Sequence, residues 1–231
     1  MVEVLGKINQ LYVQNLTTSC ICELFNYGNM TDSLSMFTYD FKSGNVYGVI
    51  DEFGSGGWAL SYVLAGKQKS FEGEIKINNN SVNYEKLKEF SCYVGDDSGK
   101  KKLFGISKMT VQEQIQAGID SGKSFSNDIN RIKEIFGLSN ERFNRTIEYV
   151  SGERWKASMA IGYSLGKSIY CFPWLNTKYL MHLKEHLKLC IKPLVEIGAI
   201  IIIPTCNKNS INDIANITLS INDDSSSDSS E

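Results

Sequence analysis

Apolar and polar positions alternate, run together or recur at helical spacing in clearly separated stretches of the chain. Residues 8–50 read as a succession of strands. The period is two over Leu34–Phe41, Gly44 and Asn45 supply a turn, and Val46–Ile50 is continuously apolar. A glycine cluster, Gly54-Ser55-Gly56-Gly57, then leads into Trp58–Ala65, a short helix that Gly66 terminates. Glu74–Ile77 predicts a strand, Asn78-Asn79-Asn80 a turn, and Cys92–Val94 another short strand. From Thr110 to about Ser164 the spacing is helical, with Ile129, Ile132, Ile135 and Phe136 three or four apart. Ile169–Phe172, Ile200–Ile203 and Thr218–Ile221 read as buried strands. Lys178–Ile197 reads as a helix that Pro193 either kinks or brings into its last turns.

Buried strands alternating with helices predict a parallel sheet covered on both faces. The stretch Asp223 to Glu231 contains only serine and acidic residues and cannot bury enough surface to order itself. The expected organisation is therefore one α/β domain over 1–222, with a disordered tail over 223–231.

Composition narrows the functional classes. The 231 residues carry a formal charge of -2, which speaks against a nucleic-acid footprint spread over the domain. No basic-then-apolar start suggests a secretory signal, and the longest apolar run, Ile197–Ile203, is too short for a bilayer. Membrane association is therefore expected only through a partner, without direct lipid insertion. The six cysteines lack paired CxxC spacing, and a reducing cytosol suits them. His182 and His186 share a helix face, but two ligands do not close a zinc site, so no metal is expected.

Strand, glycine-rich loop and helix, in that order, form the framework in which backbone N–H groups and a helix N-terminus cradle phosphate. A working loop reads G-x-x-x-x-G-K-[ST], with lysine on the phosphates and the hydroxyl on magnesium. Here the stretch is Asp51-Glu52-Phe53-Gly54-Ser55-Gly56-Gly57-Trp58. Gly57 stands at the lysine position and Trp58 at the hydroxyl position, where its indole would crowd a metal. Asp51 and Glu52 put carboxylates at the mouth, and two like charges about 4 Å apart repel by ~1–4 kcal/mol. The literal G-K-S at Gly122-Lys123-Ser124 follows a helical stretch rather than a buried strand, so it lacks the context that would give it meaning.

In this order the features resemble an ABC-type ATPase domain over nearly the whole chain. Gly44–Ile50 is similar to the strand entering the Walker A loop, and Leu60…Leu64-Ala65-Gly66 to the helix after it. Phe71-Glu72-Gly73-Glu74-Ile75 resembles the family's next strand. Asp96 sits where the Q-loop glutamine would be, and Met109-Thr110-Val111-Gln112-Glu113 is similar to the entry of the helical subdomain. Val150-Ser151-Gly152-Glu153-Arg154 resembles the LSGGQ signature, with Glu153 replacing its second glycine. Ile169-Tyr170-Cys171-Phe172-Pro173-Trp174 occupies the Walker B position, yet no acidic residue lies between Lys167 and Met181. Thr205 or a neighbour replaces the switch histidine, and Tyr27, or Phe25 beside it, holds the place of the adenine-stacking aromatic.

The resemblance implies a P-loop NTPase-like fold with a mainly parallel core, an antiparallel β subdomain and a helical subdomain over about 97–165. It also implies positional equivalents of a nucleotide site at Tyr27, Gly54, Ser55, Gly56, Gly57, Trp58, Asp96, Ser151, Gly152, Glu153, Phe172, Pro173 and Thr205, with no catalytic residue among them. The lysine, magnesium ligands, general-base carboxylate and histidine are all missing, so ATP with magnesium is expected to bind weakly at best and hydrolysis to be absent. If the loop backbone keeps its shape, Gly57→Lys with Trp58→Ser is expected to return some phosphate affinity. The leading expectation is a non-hydrolysing, cytoplasmic subunit at the inner face of the cell membrane. It would dock a permease, through apolar contacts around Leu103, Phe104, Ile106 and Met109, and pair with an active ATPase or a second copy. The alternatives are a stand-alone interaction or regulatory module on the same fold, and an ATPase with unorthodox residues.

Overall fold

The computed structural model describes residues 8–24, 28–96 and 108–221. Two sheets organise it. The first is antiparallel, with strand order β2-β1-β4-β5: β1 (Gln10–Leu24), β2 (Gly28–Lys42), β4 (Glu72–Ile77) and β5 (Asn80–Ser81). The second is parallel, with order β6-β7-β8-β3-β9: β3 (Val46–Ile50), β6 (Ser91–Tyr93), β7 (Ile169–Cys171), β8 (Ile200–Thr205) and β9 (Ile217–Ser220).

The continuous apolar runs are explained by burial on both faces. Along β8, Ile200 and Ile202 join Tyr47 and Val49 of β3 in one core, while Ile201 and Ile203 join Val46 in the other. Successive side chains of a strand point to opposite faces, so a strand with a core on each side has no polar position to spare. The first core lies under α1 (Gly57–Leu64) and the antiparallel sheet, with Leu11, Val13, Leu34 and Phe41. The second is covered by α3 (Val111–Asp120), α4 (Ile129–Ile135), α6 (Arg154–Ser164) and α7 (Thr177–Glu196). Each fully buried isoleucine stabilises by roughly 1.5–3 kcal/mol relative to exposure.

Local signals set the helix starts. Thr110 accepts from the Glu113 N–H at 3.2 Å while Glu113 accepts from the Thr110 N–H at 2.8 Å, a capping box that opens α3. Asn176 caps α7 by accepting from the Tyr179 N–H at 2.8 Å. Pro193 lies in the last turn of α7, and the helix continues to Glu196.

Two helices were not expected. The first is α2 (Tyr84–Phe90), which buries only Leu87 and therefore has no apolar stripe to read. The second is α8 (Lys208–Ile211), which is four residues long. α5 (Asn140–Phe143) falls within the helical stretch read from spacing. The stretches 97–107 and 223–231 lie outside the described residues, and with them Leu103, Phe104, Ile106 and the tail. Among the described residues no helix is long and apolar enough to cross a membrane.

Candidate functional site

β3 delivers the chain into the glycine loop. The Asp51 N–H donates to the Thr205 carbonyl at 2.9 Å, and Ser55 turns back onto the Glu52 carbonyl at 3.2 Å. Gly54 and Gly56 have φ of 96° and 104°, in the left-handed region that excludes most side chains. The tight backbone read from the sequence is present, and α1 begins immediately after it.

The loop is closed from above by β2. Asp32, opposite Cys20 in the hairpin, reaches the loop and is 1% exposed. Its carboxylate accepts from the Gly56 N–H at 3.1 Å and from the Ala59 N–H at 2.7 Å. These amides sit at the N-cap and third position of α1, where helical N–H groups otherwise lack partners and the dipole favours an anion. A buried carboxylate is costly unless hydrogen-bonded, and each bond to a charged group contributes about 1.5–3 kcal/mol. The Ser33 N–H also donates to the Gly54 carbonyl at 3.5 Å. Sequence reading missed Asp32, because nothing local distinguishes it from any acid on a strand.

An aromatic cluster packs against the loop. Trp58 is 7% exposed and donates its indole N–H to the Tyr93 hydroxyl at 2.8 Å. Phe53 lies edge-on between Trp58 and Trp174, with ring centroids 5.7 and 5.4 Å away. Trp174 donates to the Asp51 carbonyl at 3.1 Å, so the Walker B-like segment ends on an indole holding the loop. Gly57 is buried, and a Cβ there would lie 3.0 Å from the Pro204 Cβ. Two amides of the loop and helix start, Gly56 and Ala59, thus already have an acceptor, and positions 57 and 58 offer neither an ammonium nor a hydroxyl.

The remaining expected residues are distributed as follows. Phe172 is fully buried, donates its backbone N–H to Ile202 at 2.9 Å, and stacks on Trp155 at 5.7 Å, so it is a core residue. Pro173 is half-buried beside it. Thr205 is fully buried at the end of β8, and its hydroxyl has no hydrogen-bond partner among the described residues. Asp96 pairs with Lys67. Tyr27 and Phe25 lie outside the described residues.

Ser151, Gly152 and Glu153 line a separate cavity of about 610 Å³ with Arg142, Trp155 and Tyr179 among its walls. Ser151 is exposed with φ of 47°. Glu153 is not held by its neighbour Arg154. Its carboxylate accepts from the Ser139 N–H at 3.0 Å and hydroxyl at 3.2 Å, with Arg142 3.9 Å away. Gly122-Lys123-Ser124 follows α3 in a turn, as the sequence context predicts.

Burial raises the tyrosines beside the cluster, with Tyr62 pushed up to about 12 and Tyr93 well above its ordinary range. A raised phenol is neutral in the fold but ionises near pH 10 when unfolded. Its stabilising contribution is complete below about pH 10 and is lost as pH rises through about 12. The urea midpoint is therefore expected to fall between pH 10 and 12, and less steeply in Tyr93→Phe. Identical profiles for the two proteins would contradict this assignment.

No protein-family model matches the sequence, and no curated protein matches it significantly. Solved structures do match in fold. CbiO1 from Clostridium perfringens, part of the ABC transporter complex CbiONQ, is 17% identical with a TM-score of 0.64, over 92% of this chain and 84% of its own. A bacterial ABC transporter cassette solved as a dimer is 17% identical with a TM-score of 0.61, over 91% of this chain and 94% of its own. An ATP-binding subunit of an ABC transporter is 15% identical with a TM-score of 0.63, over 91% and 85%. The chain thus has the fold of ABC transporter ATP-binding cassettes.

Proposed function

We propose that this chain is a non-hydrolysing counterpart of the ATP-binding subunits of ABC transporters, one that docks a membrane permease at the inner face of the membrane and pairs with an ATP-competent cassette or a second copy. The observation that supports the reading is the packing of Phe53, Trp58 and Trp174 against the loop, with Gly57 and Trp58 at the places that the resemblance gives to the lysine and the hydroxyl. Hydrolysis in such folds depends on positioning magnesium and water with carboxylates, and the strand β7 runs into Phe172, Pro173 and Trp174 instead.

Calorimetry tests the nucleotide half of the proposal. ATP with magnesium is expected to bind more weakly than about millimolar, worse than about -4 kcal/mol. A micromolar, magnesium-dependent constant would sink it. Fractionation of native cells tests the docking half, with sedimentation on membranes expected only when the permease gene is present. Recovery in the soluble fraction with and without that gene would replace the proposal by a stand-alone module on the same fold.

A further inference from the structure

We infer that Asp32 is a built-in anion that takes the place of a phosphate in the glycine loop and clamps the antiparallel sheet onto α1 at every nucleotide concentration. The inference deepens the proposal above and rests on the same loop, but on different atoms. The aromatic cluster removes the chemistry of hydrolysis, whereas Asp32 removes the vacancy in which an anion would bind.

Three observations converge. First, the Asp32 carboxylate is buried and satisfies the Gly56 and Ala59 amides with one oxygen each. Second, β2 lies against the loop itself. A Cβ on Gly56 would stand 2.8 Å from both the Leu34 Cα and the Ser33 carbonyl, so the strand that carries Asp32 is in backbone contact with the loop. Third, Ser33 and Gly54 are joined backbone to backbone at 3.5 Å, which adds a second tie on the same side. A carboxylate matches the part of a phosphate that a loop amide recognises: negative charge and oxygen lone pairs aimed at N–H donors. Delivered by the chain, it acts at a high effective concentration and outcompetes a free anion. Beside the apolar core that both sheets share, this one side chain ties β2 to the loop and to the start of α1.

Amide hydrogen exchange resolved by NMR tests the inference on the full chain, with inorganic phosphate as the probe. In the wild type, the Gly56 and Ala59 amides are expected to be protected and their signals unmoved by millimolar phosphate. Asp32→Asn keeps the shape but loses the charge, and protection at those two amides is expected to fall about tenfold or more. In Asp32→Ala, phosphate is expected to shift the same two signals.

Free exchange of Gly56 and Ala59 in the wild type would overturn the inference. So would unchanged protection in Asp32→Asn, or a phosphate response equal in wild type and Asp32→Ala. If Asp32→Ala does not fold, the wild type and Asp32→Asn still decide the matter. These outcomes are separate from nucleotide hydrolysis. Weak ATP binding by the wild type together with free Gly56 and Ala59 amides would end the Asp32 inference and leave the proposal above standing.

Discussion

Gly57→Lys combined with Trp58→Ser, which returns the lysine and hydroxyl of the phosphate-loop pattern but leaves Asp51 at its first glycine, is expected to destabilise the protein by ~3–5 kcal/mol without producing measurable ATP affinity. Removing a buried tryptophan costs about 3–5 kcal/mol through lost transfer energy and the cavity left behind. Trp58 is 7% exposed, packs on Phe53, and gives its indole N–H to Tyr93, whose hydroxyl would lose that donor. Lysine at 57 starts from a Cβ only 3.0 Å from the Pro204 Cβ, with Trp174 next nearest, so it adds crowding rather than a free cation over a cradle.

From the sequence alone the same double substitution was expected to return some phosphate affinity. The loop backbone does have the required glycine geometry, but the Gly56 and Ala59 amides already bond to Asp32. Urea unfolding gives the stability change, and calorimetry gives the affinity. A double mutant as stable as the wild type that binds ATP in the micromolar range would show that the loop lacks only two side chains.

Gly56→Ala is expected to cost ~2–6 kcal/mol, combining about 1–3 for a side chain in the left-handed region with about 1–3 for overpacking. Gly56 has φ of 104°, and the new Cβ would meet the Leu34 Cα and the Ser33 carbonyl at 2.8 Å. These are backbone atoms in a strand with ladder partners on β1, so they cannot swing aside as the end of a flexible side chain would. Gly122→Ala is the matched control. It too has a positive φ, of 69°, but nothing lies within 4 Å of the added Cβ, and the expected loss is about 1 kcal/mol. Chemical unfolding of both variants measures the difference. Equal losses would mean that β2 does not press on the loop.

Features that depend on neighbours along the chain were legible in the order of the amino acids. The parallel strands were legible because a strand with a core on each face has to be apolar throughout, as in Ile200–Ile203. The glycine loop was legible because Gly54 and Gly56 meet a local backbone requirement.

Helix α2 was not legible, since burying Leu87 alone leaves no periodic stripe. The partners that fill the loop were not legible either. Asp32 meets Gly56 from 24 residues away, Trp174 meets Asp51 from 123, and Glu153 turns to Ser139 rather than to the arginine beside it. Such pairings carry no spacing rule. The packing of the antiparallel sheet onto α1 sets the distance between groups, and desolvation then compels each buried charge and donor to find whatever partner that packing supplies.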